Sequence, residues 1–91
     1  MAKMFVTFKV MPDSPETDLK ELRIKIQKIV SDFGGELLDK DVIEPVAFGL
    51  NALKLMVYID EAKGSEDLSI LISNVEDVSS ADVIDMRRAV G

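Results

Sequence analysis

NALKLMVYID, residues 51–60, is the stretch on which the fold turns. Leu53, Leu55, Val57 and Ile59 alternate with Lys54, Met56, Tyr58 and Asp60. That period of two reads as a strand with one face in a core. MFVTFKV, residues 4–10, has the same pattern, setting Met4, Val6, Phe8 and Val10 against Phe5, Thr7 and Lys9. Two half-buried strands of this kind point to a sheet with one covered face.

The segments between and beyond them supply the cover. MPDSPETD, residues 11–18, stops the first strand with two prolines and ends at Asp18, which is placed to cap a helix with Glu21 three residues on; Ser14 before Pro15 is the rival cap. Leu19, Leu22, Ile26, Ile29, Val30 and Phe33 then follow helical spacing for about four turns. Gly34 and Gly35 fall where a left-handed cap ends a helix. ELLDKDVI, residues 36–43, reads as another strand in which Leu37 and Leu38 compete for the core. After residues 51–60, EAKG turns the chain into a shorter helix with Ser65 as expected cap and Leu68, Leu71, Ile72 and Val75 as its apolar stripe. Val83, Ile84 and Met86 mark a last strand within VSSADVIDMRRAV, residues 78–90. The order is strand, helix, strand, strand, helix, strand. It predicts an α+β, ferredoxin-like βαββαβ two-layer sandwich, with two helices on one face of a four-stranded antiparallel sheet.

Residues 1–91 are expected to form a single domain, because a chain of this length has room for one core. The composition, 47% hydrophobic and 31% charged, is that of a globular protein. With no Cys and no His, thiolate and imidazole chemistry is excluded, and with it zinc fingers and Ser-His-Asp systems. A net charge of −6 disfavours nonspecific binding to nucleic acid and to anionic membranes. No basic-apolar leader or long apolar run is visible, so a cytoplasmic location is expected.

No catalytic or cofactor motif emerges. The glycines build neither GxxxxGK[ST] nor GxGxxG, and the pairs Asp60-Glu61 and Glu66-Asp67 lack EF-hand spacing, so no metal, cofactor or nucleotide site is assigned to this chain. An RNA-reading sheet needs stacked aromatics on its middle strands and a basic face, whereas residues 51–60 offer only Tyr58. EPVAFGL, residues 44–50, poses the open question. Phe48 beside Gly49 is either a core ring at a bend or a probe directed at a partner.

Three stretches taken in order carry a resemblance. FVTFKVMPDSPETDLKEL, EPVAFGLNALKLMVYID and the ending SSADVIDMRRAV resemble the archaeal elongation factor 1-beta family, which is similar to the catalytic C-terminal domain of eukaryotic elongation factor 1-beta. The resemblance spans essentially the whole chain. It implies guanine-nucleotide exchange on elongation factor 1-alpha, the GTPase that delivers aminoacyl-tRNA, by an exchange factor without covalent chemistry of its own.

The site residues follow from that resemblance. In the eukaryotic relatives a Phe in the matching AFG enters the partner's G domain, and a basic side chain near the C-terminus reaches its magnesium and phosphate region; these functions map onto Phe48, with Gly49 as backbone support, and Arg88, with Arg87 beside it. The chain departs from the eukaryotic pattern by carrying Arg88 in place of Lys, followed by Ala89, Val90 and Gly91. A planar guanidinium suits a phosphate or carboxylate better than it mimics a metal ion. The alternatives are a ligand-sensing module similar to ACT domains and a scaffold subunit.

Overall fold

The computed structural model describes residues 2–89, along which run β1 (Lys3–Pro12), α1 (Leu19–Phe33), β2 (Glu36–Leu37), β3 (Val42–Pro45), β4 (Asn51–Asp60), α2 (Ser65–Ser73) and β5 (Val78–Arg88). The sheet order is β2-β4-β1-β5, with β3 also pairing β4, and every pairing is antiparallel. This is the expected βαββαβ arrangement. Val90 and Gly91, at the end of the predicted last segment, lie outside the described residues.

The period of two in the central strands becomes the core. Val6, Phe8 and Val10 of β1 and Leu53, Leu55, Val57 and Ile59 of β4 are fully buried under Leu22, Ile26 and Val30 of α1 and Leu68 and Ile72 of α2. Their alternates, among them Phe5, Thr7, Lys9, Met56 and Tyr58, occupy the uncovered face and keep partial exposure. Phe5 and Tyr58 pair across the two strands with ring centroids 5.1 Å apart.

Helix α1 begins as its sequence requires. Asp18 accepts hydrogen bonds from the Lys20 and Glu21 amides, which makes it the cap in preference to Ser14. Gly34 closes the helix at φ 97°, a left-handed position that glycine fills without strain. Gly35 has a different task. A Cβ there would lie 2.5 Å from Ile59 Cγ2 and 3.2 Å from Val30 Cγ1, so its missing side chain lets the chain leave α1 against β4.

Three expectations are corrected in detail. Ser65 does not cap α2: Gly64 holds the cap position without a side-chain hydrogen bond, and Ser65 is the first helical residue. Leu71 is 44% exposed, because the short helix turns only Leu68 and Ile72 fully onto the sheet. The predicted strand at residues 36–43 is broken into β2 and β3, which share one edge of β4.

The break has a physical cause. Leu37 pairs with Val57, the Leu38 amide donates to the Met56 carbonyl, and the next pair is Val42 with Lys54. Asp39, Lys40 and Asp41 therefore loop out opposite Leu55, which keeps charged side chains off the covered face. Arg23 of α1 holds the loop, with Nε 3.1 Å from Asp41, Nη2 3.6 Å from Asp39, and a hydrogen bond donated to the Leu38 carbonyl.

Gly35→Ala tests the close helix-to-strand approach. Overpacking at a rigid contact costs about 1–3 kcal/mol, so its urea midpoint should fall clearly. An unchanged midpoint would show that α1 and β4 separate without strain.

Candidate functional site

The candidate side chains lie at the two ends of the sheet. At one end β3 and β4 form a hairpin closed by the Pro45–Asn51 pair, then by the Val46 amide donating to the Leu50 carbonyl at 2.8 Å. The tip is a single 3-10 turn, Ala47–Gly49, in which the Leu50 amide donates to the Ala47 carbonyl. Phe48 at φ 62°, ψ 28° and Gly49 at φ 75° give this turn the type I′ form.

That geometry answers the question raised by EPVAFGL. Position one of a type I′ turn favours Asn, Asp or Gly, since a bulky residue is strained in the left-handed region. Here it carries a phenylalanine whose side chain is not packed: Phe48 is 92% exposed. It is no core residue. Gly49 has no neighbouring atom within 4 Å of a built Cβ, so its glycine serves the positive φ and not a close approach. Val42 and Ile43, further down β3 and on its opposite faces, are exposed as well.

Across the hairpin Lys54 pairs with Glu44. The hydrogen bond and charge of Lys54 hold the Glu44 carboxyl below the ordinary glutamate value of 4.5. The pair ties the two arms together on the uncovered side, three residues from the turn on the Glu44 arm.

The arginines lie at the other end. Strand β5 pairs β1 as Phe8–Val83 and then Thr7–Asp85, which leaves Ile84 as an extra, bulged residue. The bulge resets the alternation. Met86 and Arg88 fall opposite Val6 and Met4 on the helix side, whereas Arg87 falls opposite Phe5 on the uncovered side. Arg87 Nε contacts Asp85 at 3.1 Å.

Arg88 meets different surroundings. Its Nη2 donates to Glu61 Oε1 at 2.8 Å, and its side chain remains 72% exposed. Together with Met4, Glu61, Gly64, Ser65 and Met86 it lines an open cleft of about 620 Å³ beside the start of α2. The sequence offered Glu61 only as half of the Asp60-Glu61 pair, not as a partner of Arg88. Glu61 stands 27 residues from Arg88, and only the folded strand order brings them together.

The structure therefore does not bring Phe48 and Arg88 together. The eight residue steps of β4 from Asn51, beside the tip, to Ile59, level with Met4 and Arg88, place them roughly 27 Å apart along the sheet. They stand near opposite ends of a body 41 Å long. Gly49 stays with Phe48, and Arg87 and Arg88 share one end but face opposite sides. Among the described residues no group of His, Cys, Asp and Glu is arranged to hold a metal ion, and no helix is long and apolar enough to cross a membrane.

Comparison with known proteins adds a family. The family model described as the EF-1 guanine nucleotide exchange domain matches residues 5–89. The chain is 42% identical over 89 residues to elongation factor 1-beta of Methanothermobacter thermautotrophicus, covering 97% of this chain and 98% of that protein. It is 44% identical over 85 residues to elongation factor 1-beta of Staphylothermus marinus, covering 91% and 92%. A similar relative of the same name from Methanococcoides burtonii is 35% identical over 91 residues, covering 99% and 100%.

Two outcomes follow from the tip. Phe48→Asn relieves a strained turn position and should raise stability by about 1 kcal/mol in urea unfolding; a lower midpoint would mean that the ring packs in the folded state. A depressed carboxyl value places the stabilisation from Glu44–Lys54 above pH 4.5 and removes it as pH falls through the lowered value. Hydrogen-exchange protection of the Val46 amide should then drop on acidification relative to that in Lys54→Met, which lacks the pair at every pH.

Proposed function

The chain belongs to the EF-1 guanine nucleotide exchange domain family, and from that premise we propose that it engages elongation factor 1-alpha at two separated points, Phe48 and Arg88. Its activity is guanine nucleotide exchange in translation elongation, with no covalent chemistry of its own. The family match decides against the ligand-sensing and scaffold alternatives. In this reading the chain acts as one exchange domain and binds no nucleotide itself.

The observation that carries the site reading is Phe48, a fully displayed ring held in a backbone conformation that phenylalanine disfavours. The hairpin projects it like a fixed anchor, and Gly49 completes the turn that aims it. An apolar pocket on the partner is its natural counterpart.

Arg88 supplies the charge. A bound GDP is held by P-loop amides, a lysine and a magnesium ion. A guanidinium brought to that region competes for the phosphates and for the carboxylates that organise the metal, using a forked set of donors. Arg87 faces the other side of the sheet and serves as a flanking contact.

The separation divides the labour. A contact made equally with loaded and empty partner strengthens binding without favouring release, whereas a contact stronger with the empty partner lowers GDP affinity by the same factor that it gains. Phe48, roughly 27 Å from the arginine end, suits the first role and Arg88 the second.

Release of fluorescent GDP from elongation factor 1-alpha, measured against concentration of this protein, tests the scheme. Phe48→Ala should raise the half-saturating concentration at least about tenfold, the loss of a buried aromatic contact. Arg88→Ala should chiefly lower the maximal rate. If neither variant differs from wild type while both stay folded, exchange persists and the two residues are not its site.

A further inference from the structure

Arg88 is proposed above as the cationic arm, and the inference made here rests on that reading. We infer that Glu61 is a positioning residue for exchange, holding the Arg88 guanidinium across the end of β1 so that it meets the partner already oriented.

Both ends of the pair are fixed by the main chain. The Glu61 amide donates to the Ala2 carbonyl and the Ala89 amide to the Lys3 carbonyl, each at 2.9 Å, so β4 and β5 are pinned on either side of the first residues of β1. The turn after β4 is tied as well. Asp60 Oδ1 accepts from the Ala62 amide at 2.9 Å, and the Lys63 amide donates to the Asp60 carbonyl at 2.9 Å. Glu61 thus leaves a rigid backbone, and its carboxylate and the guanidinium together span two strand spacings, about 10 Å.

Lys63, Glu66, Asp67 and Arg87 line the same cleft, but the ion pair there is the one between Glu61 and Arg88. The Lys63 ammonium lies 5.6 Å from the Phe33 ring centroid and packs beside Gly34. Glu66 and Asp67 sit in the first turn of α2, where acids favour the helix dipole. Arg87 falls opposite Phe5, in contact with Asp85. Glu61 is therefore the carboxylate that takes Arg88.

The contact orients without consuming the arginine. The structure records one hydrogen bond between them, from Nη2, whereas a guanidinium offers five donors in a planar fork. The remaining donors stay available to a phosphate or carboxylate. An unrestrained arginine surrenders its rotamer freedom on engagement, and one already held across the strand end has less to surrender. With the side chains 72% and 40% exposed, the pair is no burial-driven brace of the fold.

The test is a double-mutant cycle on GDP release from elongation factor 1-alpha, using wild type, Glu61→Gln, Arg88→Ala and the double variant. An exposed pair implies a coupling of about two- to fivefold. Glu61→Gln should lower the maximal rate by that factor and leave the half-saturating concentration unchanged, and it should add nothing in the Arg88→Ala background. Glu61→Asp, which keeps the charge on a shorter stem, should fall between wild type and Glu61→Gln, and melting temperatures should be unchanged. A rate for Glu61→Gln equal to or above wild type, or the same loss in both backgrounds, overturns the inference while Arg88→Ala still slows exchange. Wild-type exchange by Arg88→Ala instead overturns the arm itself, and the positioning role with it.

Discussion

No charged side chain can be buried between this sheet and its helices without a large desolvation penalty, and among the described residues none is. Two departures from regular pairing obey that constraint. Asp39, Lys40 and Asp41 loop away from β4 and are caught by Arg23, and the extra residue at Ile84 turns Asp85 to the uncovered face. Without the bulge Asp85 would fall opposite Val6, on the helix side, where half-exposed Met86 now lies. The same one-residue slip puts Arg88 on the helix side beside α2 and Arg87 opposite Phe5, in contact with Asp85. The register set by the bulge thus decides which arginine lies on which face of the sheet.

The opposite end shows stability yielding to display. A type I′ turn joins β3 to β4 economically, and asparagine followed by glycine would make it at low strain. Phe48 takes the first position instead, with its ring in solvent. The hairpin holds the turn through its flanking pairs and the Glu44–Lys54 bridge, so the strain is borne by an otherwise regular ladder. Strained positions that a fold over-determines concentrate at functional surfaces.

Much of this was legible in the sequence, and the gaps have physical reasons. The alternation in residues 4–10 and 51–60, the Asp18 cap and the glycine ending α1 are local signals, and each appears where its periodicity or chemistry placed it. Features set by distant partners were not legible. The break at residues 38–41 depends on Arg23 from another element, the Ile84 bulge on the register with β1, and Glu61–Arg88 on two strands that flank a third. Ser65 was misjudged by one position because Ser and Gly are both acceptable helix caps. The Phe48 ring could be read either way until its turn was seen, since left-handed backbone at a phenylalanine has no sequence signature.

Distance then constrains mechanism. A ring and a guanidinium roughly 27 Å apart cannot enter one nucleotide pocket together, so in the proposed scheme they act on different parts of the partner. A rigid body touching both parts restricts their relative position. If the loaded and empty partners differ in that position, even the contact remote from the nucleotide becomes state-dependent, and linkage transmits it to GDP affinity. The antiparallel sheet between the two points is what makes such coupling possible, because β1 and β4 pair from Met4–Ile59 to Val10–Leu53 without interruption. A flexible tether bearing the same two side chains would gain effective concentration but impose no geometry. In the proposed scheme the rigidity of the ladder, and not only the residues at its ends, therefore contributes to exchange.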